Sequence, residues 1–354
     1  MDGYALHAAD LNNRDWLEIM GEQAAGPRQP MKVVPGKCVR IFTGAPLPEA
    51  TGAVIMQEDM TAESRRVRFT SAEKLPDYQP GEFIRRRGSD LAAGQCIVRA
   101  GERLQAGKLG VIASQGFTSV SVGRQPRVAI LSTGSELRAV GESLRHEGEI
   151  YNSNGPLLAA LVAEGSLASA ISTHHVEDQM APLQAMLERL LATHEVVMIA
   201  GGVSVGDHDL VKPALNALGV TTEFWRVAVK PGKPFLYGRT ATAQVFGLPG
   251  NPVSAFVTAV LFVLPALRKL AGAADPAPRT ARAILAGEWT NWDQRPTYFR
   301  GQFEAATGLF RPFGLQESHA LFSLSQANAL LPVPPQSTLP AGSEVQIIPL
   351  HAAE

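Results

Sequence analysis

The chain has 354 residues, enough for two or three domains with their own cores. With 45 % hydrophobic and 18 % charged residues, it reads as a soluble globular protein rather than a disordered or membrane-spanning one. No long apolar run stands out, so no membrane partner is expected. A formal net charge of −1 disfavours a nucleic-acid partner on bulk electrostatics. Cys38 and Cys96 form no CxxC pair, which argues against a disulfide framework and a cysteine zinc site. Met1 to Asp10 has no basic stretch followed by an apolar one, so a secretory signal is not expected and a cytoplasmic location fits.

The first third reads as β-rich. Short apolar runs at Cys38–Thr43, Ala53–Gln57 and Arg66–Thr70 are separated by Pro and Gly clusters. A second group of short segments is expected around Glu82–Val98, interrupted by Arg85-Arg86-Arg87 and then Gly88-Ser89-Asp90. A helix is expected from Ala106 to Ser114 and a short strand near Thr118–Val122.

The character changes at Pro126. Arg127–Ser132 is a continuous apolar run, as expected of a strand buried on both faces. Helical spacing follows at Asn154–Glu164, a weaker strand at Ser169–Thr173, and a second amphipathic helix at Met180–Ala192. Val196–Ala200 is a second buried strand. Leu210–Leu218 is helical, Phe224–Val229 and Gln244–Leu248 are strand-like, and Pro252–Leu270 is a long apolar helix. Alternating strands and helices predict a mostly parallel α/β sheet, with functional loops at the carboxyl ends of its strands. After a linker at Ala271–Pro278, Ala281–Leu350 reads as a β-like tail ending in a strand near Gly342–Pro349. The expected division is a β-rich region at 1–84, the remainder of the first linker domain at 85–125, an α/β domain at 126–273 and a β domain at 279–354.

Four polar segments fall where that sheet would place its loops. Gly201-Gly202-Val203-Ser204-Val205-Gly206-Asp207 follows a buried strand; its glycines permit tight turns and let backbone N–H groups approach an anion, and a structural turn stays open as the plain reading. Leu131-Ser132-Thr133-Gly134-Ser135-Glu136-Leu137 offers hydroxyls and a carboxylate, although Ser132 and Thr133 can equally cap a turn. Lys230-Pro231-Gly232-Lys233-Pro234 holds two cations on a Pro-stiffened loop, with Arg226 on the adjoining strand, and reads as a polyanion clamp. In Gly247-Leu248-Pro249-Gly250-Asn251-Pro252-Val253-Ser254, Asn251 suits the N-cap and Pro252 the first turn of the next helix.

In that order STGSEL, YNSNG, GGVSVGDHD, KPGKP and GLPGNPVSA resemble the molybdopterin-binding domain of the molybdopterin molybdenumtransferases, the bacterial MoeA and gephyrin E-domain family. Upstream, Asp2–Ala5 (DGYA), Phe42–Pro48 (FTGAPLP) and Gly81–Asp90 (GEFIRRRGSD) also resemble it, as do Tyr298-Phe299-Arg300 and Ser323–Asn328 (SLSQAN) downstream. The resemblance covers essentially the whole chain. Ser135 stands where the family usually has Asp. The family usually carries further residues before DGYA, so the resemblance leads us to expect that a chain starting at Met1 is less dimeric and less active than a longer form.

The resemblance implies a multi-domain protein with a central α/β domain flanked by β-rich domains. It implies insertion of molybdenum from molybdate into adenylylated molybdopterin with release of AMP, in the presence of Mg²⁺ or a similar divalent cation. The candidate catalytic residues are Asp2, Glu136, Asp209, Lys230 and Lys233, with Asp2, Glu136 and Asp209 as the candidate metal ligands. Substrate contacts are expected from Thr43, Arg85, Asp90, Ser132, Thr133, Gly201, Gly202, Ser204, Arg226, Pro249, Pro252, Arg300 and Ser318. Asp2 is implied to complete the site of the other subunit of a homodimer. A molybdopterin adenylyltransferase and molybdoenzyme apoproteins are the implied partners. An adenylyltransferase acting one step earlier and a non-catalytic gephyrin-like scaffold are the alternatives.

Overall fold

Strand β1 (Gly3–Leu6) is buried along its whole length, because strands pair with it on both edges and apolar clusters cover both of its faces. The computed structural model describes residues 1–71, 78–203 and 209–350. The chain divides into two units, Met1–Cys96 and Ile97–Glu354.

In the first unit, β1 joins β2 (Leu17–Gln23), β3 (Lys37–Ile41), β4 (Ala53–Met56), β5 (Met60–Glu63) and β6 (Arg66–Phe69) in a sheet of order β4-β1-β3-β2-β6-β5. Leu6, Leu17, Cys38, Ile55 and Val67 fill one side, and Ala5, Val33, Val39, Ile41 and Val54 the other. Burial raises the Cys38 thiol to about 12, so this cysteine acts as a small apolar group. The expected strands around Glu82–Val98 do not form: this stretch is a succession of turns. Gly81 just before it and Gly88 and Gly94 within it all have positive φ, which breaks extended runs.

The second unit opens with α1 (Ala106–Ser114), as expected, but Thr118–Val122 is not a strand. Its alternating pattern has nothing to pack on, and Val120 and Val122 are exposed. Next come β7 (Arg127–Thr133), the short parallel pair β8 (Leu137–Arg138) and β9 (Ile150–Tyr151), α2 (Asn154–Glu164), β10 (Ala170–Val176), α3 (Met180–Thr193), β11 (Val196–Ala200) and α4 (Val211–Ala217). Then follow β12 (Thr221–Trp225), β13 (Leu236–Arg239) and β14 (Gln244–Leu248). The sheet order is β10-β7-β11-β14-β13-β12; the first four strands are parallel, and β13 and β12 add an antiparallel edge.

Two expectations need correction here. The strand expected at Phe224–Val229 ends at Trp225, because Arg226 adopts φ +73°, which no extended strand accommodates. Pro252–Leu270 is an apolar segment of membrane-spanning length, 19 residues with mean hydropathy 1.8, contrary to the absence of such a run read from the sequence. It is a core helix: α5 (Pro252–Thr258), a π turn at Ala259–Val263 and α6 (Leu264–Leu270) pack Val253, Val257, Val263 and Leu267 against Ile130, Met198 and Phe246. The opposite sheet face packs Leu131, Val197 and Ile199 on Leu183, Leu187 and Leu215. This two-sided burial explains why β7 and β11 read as unbroken apolar runs.

The tail holds β15 (Ala281–Leu285), β16 (Trp289–Asn291), β17 (Thr297–Glu304), β18 (Leu309–Pro312), α7 (Leu321–Ser325), β19 (Ala329–Val333), β20 (Ser337–Leu339) and β21 (Glu344–Pro349). β15-β18-β17-β19-β21 close into a barrel around Leu285, Phe310, Leu331 and Ile347.

One ion pair ties the amino ends of β7 and β11. The Glu195 carboxylate accepts from the Arg127 backbone N–H at 2.8 Å and from the Arg127 guanidinium Nη2 at 2.8 Å. Those hydrogen bonds, side chain first, lower its pKa from 4.5 to about 2. A depressed carboxylate contributes stability that is complete above its unfolded pKa and is lost as pH falls from there through the folded value. Because both side chains are partly exposed, solvent screens the pair, and Glu195→Gln is expected to cost only ~1 kcal/mol at neutral pH. Denaturant melts from pH 7 down to pH 3 test this: the gap between wild type and variant should narrow below about pH 4.5. A pH-independent gap refutes the assignment.

Candidate functional site at the carboxyl edge of the parallel sheet

β7, β11 and β14 end together, since Ala200 is in register with both Ser132 and Leu248. The loops that leave them are packed too tightly for side chains. A Cβ on Gly201, which has φ +101°, would lie 2.6 Å from the Thr133 carbonyl oxygen. A Cβ on Gly202 would lie 2.6 Å from Val211 Cγ2 and 3.1 Å from Thr133 Oγ1. The Gly201 N–H donates to the Leu248 carbonyl at 3.1 Å, which joins the glycine loop to the Pro249-Gly250 turn. Ser204 and Asp207 of the same motif lie outside the described residues.

The YNSNG segment contributes two amides that residue-by-residue reading missed. Asn152 Oδ1 takes the Ser132 hydroxyl at 3.0 Å and the Gly155 N–H at 3.1 Å, while Asn154 Nδ2 donates to the Gly250 carbonyl at 2.7 Å. Three buried oxygens at this edge have no hydrogen-bond partner among the described residues: Thr133 Oγ1, Asn154 Oδ1 and Asp209 Oδ1. Leaving such atoms dry and unpaired is costly, and three of them at one edge leave acceptors for a ligand or water to meet. Burial raises the Asp209 carboxyl from 3.8 to about 6, offset by the backbone N–H groups of Lys212 and Val211.

Glu136 is exposed and folds its carboxylate back over Gly134, whose φ is +153°; a Cβ there would lie 2.6 Å from Glu136 Oε2. Ser135 exchanges hydrogen bonds with Asp178: its N–H reaches Asp178 Oδ2 at 3.3 Å and its Oγ accepts the Asp178 N–H at 3.2 Å. The Asp178 carboxylate, from the segment after β10, therefore lies beside Ser135.

The Lys230–Pro234 loop is pinned on two sides. Lys230 pairs through its backbone with Pro296 and Tyr298, and its ammonium lies 3.2 Å from Asp293 Oδ2. Arg295 and then Lys230 hold the Asp293 carboxyl far below the usual range. Gly232, with φ +126°, sits where a Cβ would meet Thr258 Cγ2 at 2.4 Å. Lys233 and Arg226 are exposed and in no ion pair among the described residues. Arg226 lies over the Trp225 ring, as does Lys212; of these three, Trp225 and Lys212 are residues that sequence reading passed over.

On the fourth loop, Pro249 is buried and Pro252 occupies the first turn of α5. Asn251 is the N-cap position, but its side chain makes no capping bond; it donates instead to Ser318 Oγ at 3.0 Å. Val253 N–H takes the Ser318 carbonyl at 3.1 Å, so Ser318 is docked on the GLPGNP turn. Arg300 requires a correction. It is 0 % exposed, so it does not reach a ligand in this conformation. Its Nη2 donates to the carbonyls of Leu315 and Glu317, which holds the loop carrying Ser318 from behind.

In the first unit, the Asp2 carboxylate accepts from both the N–H and the hydroxyl of Thr43, each at 2.8 Å. These bonds, the backbone one first, lower its pKa. DGYA and FTGAPLP are thereby joined, and a Cβ on Gly3 would lie 1.9 Å from the Ile55 carbonyl oxygen. Arg85 and Asp90 are exposed on the turns that follow. Among the described residues no three His, Cys, Asp or Glu side chains gather as a metal cluster.

Three family profiles cover the chain. The MoeA N-terminal region (domain I and II) matches residues 1–116, a probable molybdopterin binding domain matches 129–269, and the MoeA C-terminal region (domain IV) matches 282–350. A molybdopterin molybdenumtransferase from Nostoc sp. is 35 % identical over 363 residues, covering 99 % of this chain and 82 % of that protein. A molybdopterin molybdenumtransferase 2 from Mycobacterium tuberculosis is 33 % identical, covering 98 % of this chain and 87 % of that protein. A crystal structure of a molybdopterin biosynthesis MoeA protein from Pyrococcus horikoshii is 28 % identical, with a TM-score of 0.79 over 99 % of this chain and 86 % of that one. Identity at this level along almost the entire chain, on the same succession of domains, means that the chain belongs to the MoeA family.

Proposed function

We propose that this chain is a molybdopterin molybdenumtransferase of molybdenum cofactor biosynthesis, inserting molybdenum from molybdate into adenylylated molybdopterin with release of AMP. The observation that carries the reading is the carboxyl edge of the parallel sheet: Thr133, Asn154 and Asp209 bring buried oxygens with no partner among the described residues, and the segment between β12 and β13 brings Arg226 and Lys233, in no ion pair among those residues. Molybdate and phosphates are anions, which Lys233 and Arg226 can neutralise through charge-assisted hydrogen bonds. The glycine loop lets backbone N–H groups approach them. The substrate itself brings thiolate ligands for molybdenum, so the protein needs no cysteine for that purpose. The profiles on both sides of the central domain, and a molybdopterin molybdenumtransferase similar over 99 % of this chain, favour this reading over an adenylyltransferase or a non-catalytic scaffold.

A divalent cation such as Mg²⁺ fits the donor set, because such ions take oxygen ligands and keep several waters. Asp209, with one buried oxygen unpartnered among the described residues, and Glu136 are the residues to hold it in this chain, and Asp2 is a candidate for the site of the other subunit of a homodimer. When bound, the ion supplies positive charge against phosphate oxygens. The chain's own residues orient the substrate: Ser132, Thr133, Asn152 and Asn154 set the shape of the edge, and Ser318 fixes the turn at Asn251. We further propose a homodimer in the cytoplasm that takes its substrate from the adenylyltransferase and passes the cofactor to molybdoenzyme apoproteins. AMP release from adenylylated molybdopterin, with and without molybdate, tests the function; release that ignores molybdate, or no release, overturns it.

The two lysines of the Pro-stiffened loop should separate. Lys233→Ala removes an exposed cation with no ion pair among the described residues, so substrate affinity should fall by ~1.5–3 kcal/mol with melting unchanged. Lys230→Ala also breaks the contact with Asp293 and should lower both affinity and thermal stability. Calorimetric binding and melting of both variants check this; wild-type affinity in the two together removes the anion role of the loop.

Asp209→Asn should dissociate stability from activity. Its carboxyl is raised in the fold, so the ionised form costs stability at neutral pH, and that cost disappears as pH falls from about 6 through 3.8. The amide keeps an acceptor for the N–H groups of Val211 and Lys212 but carries no charge. We expect the variant to be more stable by ~1 kcal/mol at pH 7, discounted for partial exposure, and level with wild type near pH 4. Turnover should fall sharply. A variant that is destabilised at pH 7, or fully active, contradicts this role.

A further inference from the structure

Trp225 ends β12 at a point where strand alternation fails. Successive side chains of a strand point to opposite faces, so Arg226 ought to turn away from the Trp225 ring. Instead Arg226 takes φ +73° and brings its guanidinium carbon 4.2 Å from the centroid of that indole. Bulky residues rarely adopt this backbone, and it persists only where surrounding structure enforces it. Here the Arg226 N–H donates to the Phe235 carbonyl at 2.7 Å, and Val227 N–H takes the Lys233 carbonyl at 3.1 Å. The same ring carries a second cation: Lys212 Nζ, from the first turn of α4, lies 4.3 Å from the centroid. The indole N–H donates to the Val203 carbonyl at 3.2 Å, which fixes the ring against the glycine loop.

Two cations gathered on one side chain repel each other, and each is attracted by the ring's electron-rich faces. Neither Lys212 nor Arg226 has an ion-pair partner among the described residues, in contrast to Lys230, Arg295 and Arg239. The nearby carboxylate is Asp209, whose backbone partner is Lys212 itself and which has an oxygen left over. Two cations held by an aromatic plate and in no ion pair among the described residues, at the edge where a phosphate-bearing substrate is to be placed, suit a polyphosphate better than a single carboxylate.

We propose that Trp225 is a positioning residue that holds Lys212 and Arg226 as a two-cation clamp for the phosphate groups of the adenylylated substrate. The assignment of that substrate rests on the preceding reading; the clamp itself rests on the Lys212–Trp225–Arg226 arrangement. A purely structural role for Trp225, locking Val203 through its N–H, is the competing account. Trp225→Phe distinguishes the two, since phenylalanine keeps an aromatic face and loses the N–H.

The test is calorimetric titration of the full chain with inorganic pyrophosphate at low and moderate salt. Lys212→Met, Arg226→Met and Trp225→Leu should each bind about tenfold more weakly, with a shallower salt dependence for the two cation variants. Trp225→Phe should stay within about threefold of wild type, because the ring's attraction for cations is retained. Should Trp225→Leu fail to fold, the two methionine variants, which leave the ring in place, carry the test. Wild-type affinity in Lys212→Met and Arg226→Met, no pyrophosphate binding by wild type, or Trp225→Phe falling as far as Trp225→Leu overturns the clamp. AMP release on the same preparations keeps the two readings apart. Molybdate-dependent release with an unchanged KM in Trp225→Leu removes the clamp and leaves the function. Pyrophosphate binding through Lys212 and Arg226 without such release keeps a phosphate clamp and removes the substrate.

Discussion

Everything at the candidate site depends on how closely three parallel strands bring their exits together. Ser132, Ala200 and Leu248 are level, and the chain leaving Ala200 passes Thr133 with no room for one methyl group on Gly201. Glycine is required there twice over, by sterics and by the left-handed backbone of Gly201 and Gly202. The consequence is chemical: backbone carbonyls and hydroxyls that would be spread over a wider surface are concentrated at one edge. Thr133 Oγ1, Asn154 Oδ1 and Asp209 Oδ1 have no partner among the described residues. Each such atom costs roughly 1–3 kcal/mol of stability when it stays unpaired. The apolar layers on both faces of the sheet, with Leu131, Ile199, Met198 and Phe246 fully or almost fully buried, are what let the fold carry that cost.

The first unit obeys the same constraint on a smaller scale. Gly3 lies against the Ile55 carbonyl so closely that the adjoining strands meet without a side chain between them. On the other edge of β1, the pairing of Gly3 with Ile41 sets Asp2 beside Thr43, and two hydrogen bonds hold its carboxylate in the ionised form. Asp2 is thus anchored through its side chain and, through its carbonyl, to the Gln57 N–H at 3.1 Å. One oxygen of the carboxylate is thereby committed to positioning the group.

The sequence made the two-sided strands legible because double burial leaves no polar alternation: RVAILS and VVMIA became β7 and β11 almost to the residue. The helices with regular apolar spacing, α2 and α3, were equally clear. What failed has identifiable causes. Thr118–Val122 alternates like a strand but has no sheet to join, and period-two patterning reports a preference, never a partner. The end of β12 was placed too late because a left-handed Arg226 has no local signature. At the site, the motif glycines and lysines were visible as residue types, whereas Asn152, Asn154, Asp178, Lys212 and Trp225 were not. Their roles come from contacts across tens of residues, such as Asn154 to Gly250 and Trp225 to Val203. Arg300 shows the converse: a residue singled out by resemblance that turns its guanidinium inward onto carbonyls.

The cations around the edge divide by what already neutralises them. Lys230 faces Asp293, which Arg295 also holds, so its charge is partly spent on joining the loop to the segment before β17. Arg300 is enclosed and orders the loop that bears Ser318. Lys233, Arg226 and Lys212 have no ion-pair partner among the described residues, and two of them share an indole. A surface with no use for anions would relax such charges into solvent or pair them, since an exposed lysine gains side-chain entropy by moving freely. Here one member is held by a backbone conformation that disfavours its residue type, and the other packs over the same ring from the first turn of α4. Such preorganisation reduces what an incoming anion must spend on ordering its binding groups, and it fixes where the anion's charge is placed relative to Asp209.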